Sequence, residues 1–183
     1  MTTKIATVND LTLAIQNGLK PKYLFFWGHT PGKSGQVGKE CLSQWYPAVF
    51  VVDGVRYATA EHYMMAEKAR LFEDEGVRER IVAAAHPSQA KSLGREVQGF
   101  TQSTWEQHRF DIVVQGNIAK FGQNPALKEF LLNTGNRILV EASPMDRIWG
   151  IGWSETDPQA QHPEQWRGLN LLGFALMAAR AQL

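Results

Sequence analysis

The chain has 183 residues, 44% hydrophobic and 20% charged, with a formal net charge of +1 and one cysteine, Cys41. This length suits one domain with a real core, and the charge balance argues against broad, charge-driven coating of a nucleic-acid duplex. One cysteine excludes an internal disulfide, no histidine or cysteine spacing suggests a metal site, and the absence of a signal-peptide pattern or an apolar run near 18 residues predicts a cytoplasmic protein without membrane contact.

Asn9 and Asp10 read as the cap of a short amphipathic helix ending near Asn17 and Gly18, with Pro21 as a stop. Residues Tyr23–Trp27 (YLFFW) read as a strand. The loop from Gly28 to Lys39 carries four glycines with His29, Lys33 and Lys39; it offers room for a phosphate but lacks Walker spacing, and a mobile loop is the simpler account. Ala48–Val52 and Val55–Tyr57, joined by Asp53 and Gly54, predict a hairpin with a primed two-residue turn. It feeds a helix capped by Thr59. Further helical patterns lie at Val77–Ala85, Ser88–Val97, Trp105–Phe121 and Pro125–Leu132, the last with Asn124 as cap and Gly135 as stop. Arg137–Glu141 alternates as a strand. Residues 142–167 are irregular and rich in Pro, Gly, Asp and Trp, a length of connection that is usually functional. Leu169–Gln182 reads as a closing apolar helix. A few strands and five or six helices, without regular β-α-β alternation, imply an α+β fold, mostly helical, in a single domain with a small β-hairpin or sheet.

The helix after Thr59 is the most informative element. At about 100° per residue, Glu61 and Lys68 share one face with Met64, Met65, Leu71 and Phe72, within about a third of the circumference. Seven residues rise about 10 Å, too far for an ion pair along one helix. Structurally, Lys68 can snorkel to water while Glu61 answers the helix dipole. Chemically, the pair makes a pocket floor in which burial lowers the lysine pKa and raises its nucleophilic fraction.

A second constellation follows the Arg137–Glu141 strand. Glu141, Asp146 and Trp149 place two carboxylates and an indole on and after a strand end, where separate acids can divide protonation of a leaving group from activation of water. Asp146 as a turn cap and Trp149 as core filling account for the same residues structurally. Of six tryptophans, Trp27, Trp45, Trp149 and Trp153 fall in or beside loops, where an indole can stack a nucleobase. His62 and His86 form no His-x-x-x-His pair and no catalytic triad.

Residues Leu42–Pro47 (LSQWYP), Asp53–Tyr57 (DGVRY), Thr59–Lys68 (TAEHYMMAEK), Trp105 with His108–Phe110, Asn117–Phe121 (NIAKF), Leu139–Glu141, Asp146–Gly150 (DRIWG) and Gly168–Gly173 (GLNLLG) occur in the order found in one known family. From Tyr23 to Leu183 the chain resembles the NADAR family, whose bacterial members include riboflavin-intermediate N-glycosidases. Residues 1–22 then stand as an N-terminal extension and 23–183 as the NADAR domain. One departure is Gln44–Trp45, where the family commonly has Asn-Phe.

The resemblance implies hydrolysis of an N-glycosidic bond between ribose and a base amine, without a cofactor or metal. The implied substrates are ADP-ribosylated guanine in DNA or nucleotides, which is the preferred reading, or the small phosphoribosylamino-pyrimidine intermediates of riboflavin synthesis. With the first comes a toxin–antitoxin context with a DNA ADP-ribosyltransferase. A non-catalytic ADP-ribose or NAD-binding module is the competing class. In the enzymatic reading Lys68 forms a Schiff base with the opened ribose, and Glu61 shuttles protons. Asp146 and Glu141 hold ribose hydroxyls or activate water, and Trp149 stacks the base. Trp27, Gly28, Trp45 and Gly150 contact substrate, and Asn170 orients the neighbouring backbone.

Overall fold

The computed structural model describes residues 5–33 and 35–183. Among them seven helices and four short strands build a mostly helical α+β domain. Helix α1 (Val8–Gln16) opens on a capping box in which Thr7 accepts the N–H of Asp10 and the Asp10 carboxylate accepts the N–H of Thr7. The cap is therefore Thr7 rather than Asn9 or Asp10, because Asp10 closes the box from the third helical position. Leu11 of this segment is fully buried.

Strand β1 (Tyr23–Phe26) pairs in parallel with β4 (Ile138–Glu141), so that Phe26 stands opposite Glu141 and both strands end at one place. Strands β2 (Phe50–Val52) and β3 (Val55–Tyr57) form the expected antiparallel hairpin. Asp53 and Gly54 at its turn have φ of 49° and 78°, the left-handed pair that a type I′ turn requires. Alternation along β4 sends Leu139 into the main core and Ile138 and Val140 into a smaller one with Leu11, Ile151 and Phe174.

Helix α2 (Ala60–Leu71) runs through the main core. Thr59 caps it by accepting the N–H of His62. The His62 ring bridges Thr59 Oγ1 at 2.8 Å and the Ala84 carbonyl at 3.0 Å. A carbonyl only accepts, so Nε2 carries the ring proton and Nδ1 receives the threonine hydroxyl. Helices α3 (Glu75–Val82), α4 (Pro87–Leu93) and α5 (Gln102–Gly122) pack around α2. Ala60 through Ala66 are all buried, including Tyr63 and Ala66 on the side away from Glu61 and Lys68. Helices α3 and α4 end earlier than their sequence patterns, at Val82 and Leu93 rather than Ala85 and Val97.

Helix α5 also fixes the segment entering the hairpin. Lys120 is fully buried and donates to the carbonyls of Cys41 and Ser43 at 2.7 and 2.8 Å, with its pKa pushed down to about 7 by burial. One turn earlier, Asn117 donates to the Gln44 side chain at 3.0 Å. Helix α6 (Pro125–Asn133) follows. Asn124 does not cap it through its side chain, which donates to the carbonyls of Val49 and Lys120. Helix α7 (Leu171–Arg180) packs on α5 and β4. Among the described residues no helix is long and apolar enough to cross a membrane.

The α2–α5 crossing depends on a missing side chain. A Cβ at Gly116 would stand 2.5 Å from Tyr63 Cδ1, so the ring and the helix cannot both keep their places. Gly116→Ala is expected to cost about 1–3 kcal/mol as an overpacked core site, read as a lowered denaturation midpoint. Adding Tyr63→Leu should recover part of the loss, whereas two independent, additive losses would show that the two residues do not meet.

Candidate active site

A cavity of about 600 Å³ opens where β1 and β4 end, a size typical of small-molecule sites. Phe26, Trp27, Gly28 and His29 enter it from β1, and Glu141, Ser143, Met145, Asp146 and Trp149 from β4 and its exit loop. Helix α2 supplies the floor with Glu61, Met64, Met65 and Lys68. Gln44 and Trp45 form one side, and Lys91, Gly94 and Arg95 another. The two constellations read separately from sequence are thus one site.

Glu61 lies in the first turn of α2, 4% exposed, and its N–H donates to the Gln44 carbonyl. Burial pushes its carboxyl up to about 7, with the Asp146 charge adding to the rise and Lys91 and the Trp45 side chain opposing it. Glu141 is pushed up to about 8, first by burial and then by the charges of Asp146 and Glu61, against Lys91. Its Oε2 is sealed without a hydrogen-bond partner. The Glu61 charge acts on Glu141, so these two carboxyls titrate together, and a carboxyl with a pKa near 8 carries a proton to donate at neutral pH.

Asp146 serves the scaffold as well as the cavity. Its Oδ1 accepts the N–H groups of Ile148 and Trp149, each at 2.8 Å, which fixes the turn presenting the Trp149 indole. Lys68 is half-buried, donates to the Gly94 carbonyl at 2.7 Å and lies 4.4 Å from the Phe100 ring centroid. Its pKa is lowered by burial and then by the charge of Arg95. Glu61 and Lys68 form no ion pair with each other among the described residues, consistent with their separation along α2. Lys91 is the cation that acts on the acids.

Trp27, Gly28, Trp45 and Trp149 all line the cavity, but Gly150 and Asn170 do not. Gly150 is a packing glycine behind the wall, where a Cβ would meet the Glu141 carbonyl at 3.0 Å. Asn170 is fully buried in the left-handed conformation (φ 51°) that starts α7. Its side chain accepts the N–H of Glu141 and donates to the carbonyl of Leu139, both at 3.0 Å, pairing with β4 as a neighbouring strand would. It thus orients the backbone of Glu141 without reaching the cavity. Lys91, Arg95 and Met145 were not legible as site residues. Lys91 and Arg95 look like ordinary surface cations until the fold turns α4 toward the acids.

The NADAR domain model matches residues 25–183. An N-glycosidase of Acanthamoeba polyphaga mimivirus is 43% identical over 166 residues, covering 88% of this chain and 96% of its own. A riboflavin biosynthesis protein of Vibrio vulnificus is 32% identical over 142 residues, 78% of this chain but only 35% of that longer protein. The solution structure of the Escherichia coli protein YbiA superposes with a TM-score of 0.69 at 29% identity, over 90% of this chain and 86% of that one.

The raised acids give a pH signature. In the folded state Glu61 and Glu141 hold protons up to about 7 and 8, whereas the unfolded chain releases them near 4.5. Between these limits the folded state binds more protons, so stability falls as pH rises. Glu141→Gln is expected to flatten this decline between pH 5 and 8 in denaturation midpoints; an unchanged slope would show that Glu141 titrates normally.

Proposed function

The chain belongs to the NADAR family, and on that premise we propose that it is an N-glycosidase that removes ADP-ribose from ADP-ribosylated guanine in DNA or nucleotides. The observation that carries the reaction type is one cavity holding two carboxyls raised by burial beside a lysine whose pKa is lowered. N-glycosidase is also the name of the mimivirus relative, which aligns over nearly its whole length.

A ribose on an amine opens when a proton reaches the ring oxygen, leaving an imine at C1′. Glu61 and Glu141, protonated near neutral pH, supply that proton. The Lys68 amine, in its neutral fraction, adds to C1′, and the base amine leaves with a proton, so that a Lys68 imine replaces the base imine. Water adds to this imine, assisted by the acids now deprotonated; the C1′–Nζ bond breaks, Lys68 is regenerated and the free sugar recloses. Asp146 holds ribose hydroxyls, Trp149 stacks the base, and Trp27, Gly28 and Trp45 bound the rest of the substrate.

Preference for the larger substrate rests on what lies beyond the acids. Trp27 is 60% exposed and Met145 89% exposed at the cavity mouth, apolar surface that a second base can cover. The riboflavin intermediates are the second reading, favoured by the name of the Vibrio relative, which includes a segment similar to this chain. A toxin–antitoxin setting with a DNA ADP-ribosyltransferase follows from the first reading alone.

Borohydride added during turnover is expected to leave a reduced ribosyl adduct on Lys68, detected by peptide mass, with Lys68→Ala abolishing both adduct and activity. A fully active Lys68→Ala enzyme sinks the covalent route. Glu61→Gln should remain folded and lose about 10²–10⁴-fold in rate, the usual scale of general acid–base help. Cleavage of ADP-ribosyl-guanine in an oligonucleotide and as a free nucleotide, compared with the phosphoribosylamino-pyrimidines, decides the substrate. Turnover of the pyrimidines alone overturns the guanine reading and leaves the N-glycosidase reading standing.

A further inference from the structure

The cavity is electrically two-ended. Glu61, Glu141 and Asp146 gather where β4 leaves the sheet, Arg95 lies near Lys68 just past the end of α4, and Lys91, in the last turn of α4, stands close enough to act on the acids. Neither cation takes part in an ion pair among the described residues, whereas Arg70, Arg78 and Arg80 on α2 and α3 each hold a glutamate at 2.7–2.8 Å. The arginines of α2 and α3 are thus paired, and the two cations lining the cavity are not, among the described residues.

Their placement is fixed rather than accidental. The Lys68 ammonium donates to the Gly94 carbonyl, tying the end of α4 to α2 and bringing Arg95 near a second cation. A Cβ at Gly94 would meet the Met65 sulfur, so a larger residue there would displace the thioether from the cavity floor. Lys91 stands between the two ends, 5.9 Å from the Trp45 ring centroid and near enough to act on Glu61 and Glu141. Arg95 and Lys68 are like charges held near each other, and a bound anion relieves their repulsion. A phosphoryl group suits this wall because its oxygens can accept from a lysine and an arginine together.

We propose that Lys91 and Arg95 form a subsite for the phosphoryl group on the 5′ oxygen of the ribosyl substrate, which turns C1′ toward Glu61 and Glu141. The assignment rests on the N-riboside reading above and deepens it. Phosphoribosylamines and ADP-ribosyl adducts both carry phosphorus at this oxygen, so the subsite serves either substrate class. It also sets the direction of binding, since the cations draw the phosphoryl group to the α4 side and leave C1′ at the protonated acids.

Calorimetric titration with ribose, ribose 5-phosphate and ADP-ribose tests the subsite without requiring turnover. The wild-type chain should bind ribose 5-phosphate at least about tenfold more tightly than ribose, on the scale of one charged hydrogen bond. Arg95→Ala and Lys91→Ala should each shrink that gap, the double variant should erase it, Arg95→Lys should retain part of it, and Lys39→Ala, from the exposed pair with Glu155, should leave it intact. Both side chains are exposed, so these variants should unfold like wild type, which circular dichroism checks. A gap that survives in the double variant, or none in the wild type, overturns the subsite. A loss confined to ADP-ribose moves the cations to the distal phosphate and overturns the 5′ assignment. If the gap behaves as expected but no N-riboside is cleaved, the functional reading fails and the subsite stands. Cleavage without a gap does the opposite, removing the subsite and leaving the N-glycosidase reading in place.

Discussion

Burial of α2 on almost every side is the constraint from which the rest of the structure follows. A helix enclosed by α3, α4 and α5 has little polar face to spare, yet α2 carries Glu61 and Lys68 two turns apart. The fold accommodates them by leaving a space beside the helix instead of filling it. Close approach by the neighbours elsewhere makes this possible: Gly116 lets α5 reach Tyr63 and Gly94 lets the end of α4 reach Met65. Tight packing on some sides and a cavity on another are two consequences of one sequence.

The remaining walls are delivered by backbone pairing. Parallel pairing puts Phe26 opposite Glu141, so the residues after β1 and those after β4 leave the sheet side by side. Asn170 completes the edge of β4 with its side chain, and its own N–H donates to the Gly150 carbonyl, joining the start of α7 to the turn carrying Asp146 and Trp149. From α5, Lys120 holds the carbonyls of Cys41 and Ser43 and Asn117 the side chain of Gln44, fixing the segment that leads to Trp45. Few of these supports touch the cavity themselves. They hold the main chain so that a small number of side chains can remain without local partners, as the sealed Glu141 Oε2 does.

Local physics made much of this legible in the sequence. The Asp53–Gly54 turn, the Thr59 cap and the shared face of Glu61 and Lys68 each depend on residues only a few positions apart, and each stands as expected. What failed was decided by partners far along the chain. Asn124 stands at the cap position of α6 as read, but its amide turns to Val49, just before the hairpin, instead of closing the helix end. Gly150 sat in a site-like motif, yet its place is against the Glu141 carbonyl behind the wall. Lys91 and Arg95 carried no signal, since a charged residue on a short helix is ordinarily a solvated one and only the packing of α4 against α2 turns it inward.

Protonation also changes what the cavity presents to a charged molecule. The chain as a whole carries only +1, too little to draw in an anionic ligand by its long-range field. Burial keeps protons on Glu61 and Glu141 up to about pH 7 and 8, which removes two negative charges from a space that also contains Lys91 and Arg95. The cavity is therefore more positive near neutrality than a count of its acidic and basic side chains suggests, and its low-dielectric walls concentrate that field. The same desolvation that readies the acids to give up protons favours the arrival of a phosphorylated sugar, so attraction and acid chemistry have a common origin in burial at the end of β4.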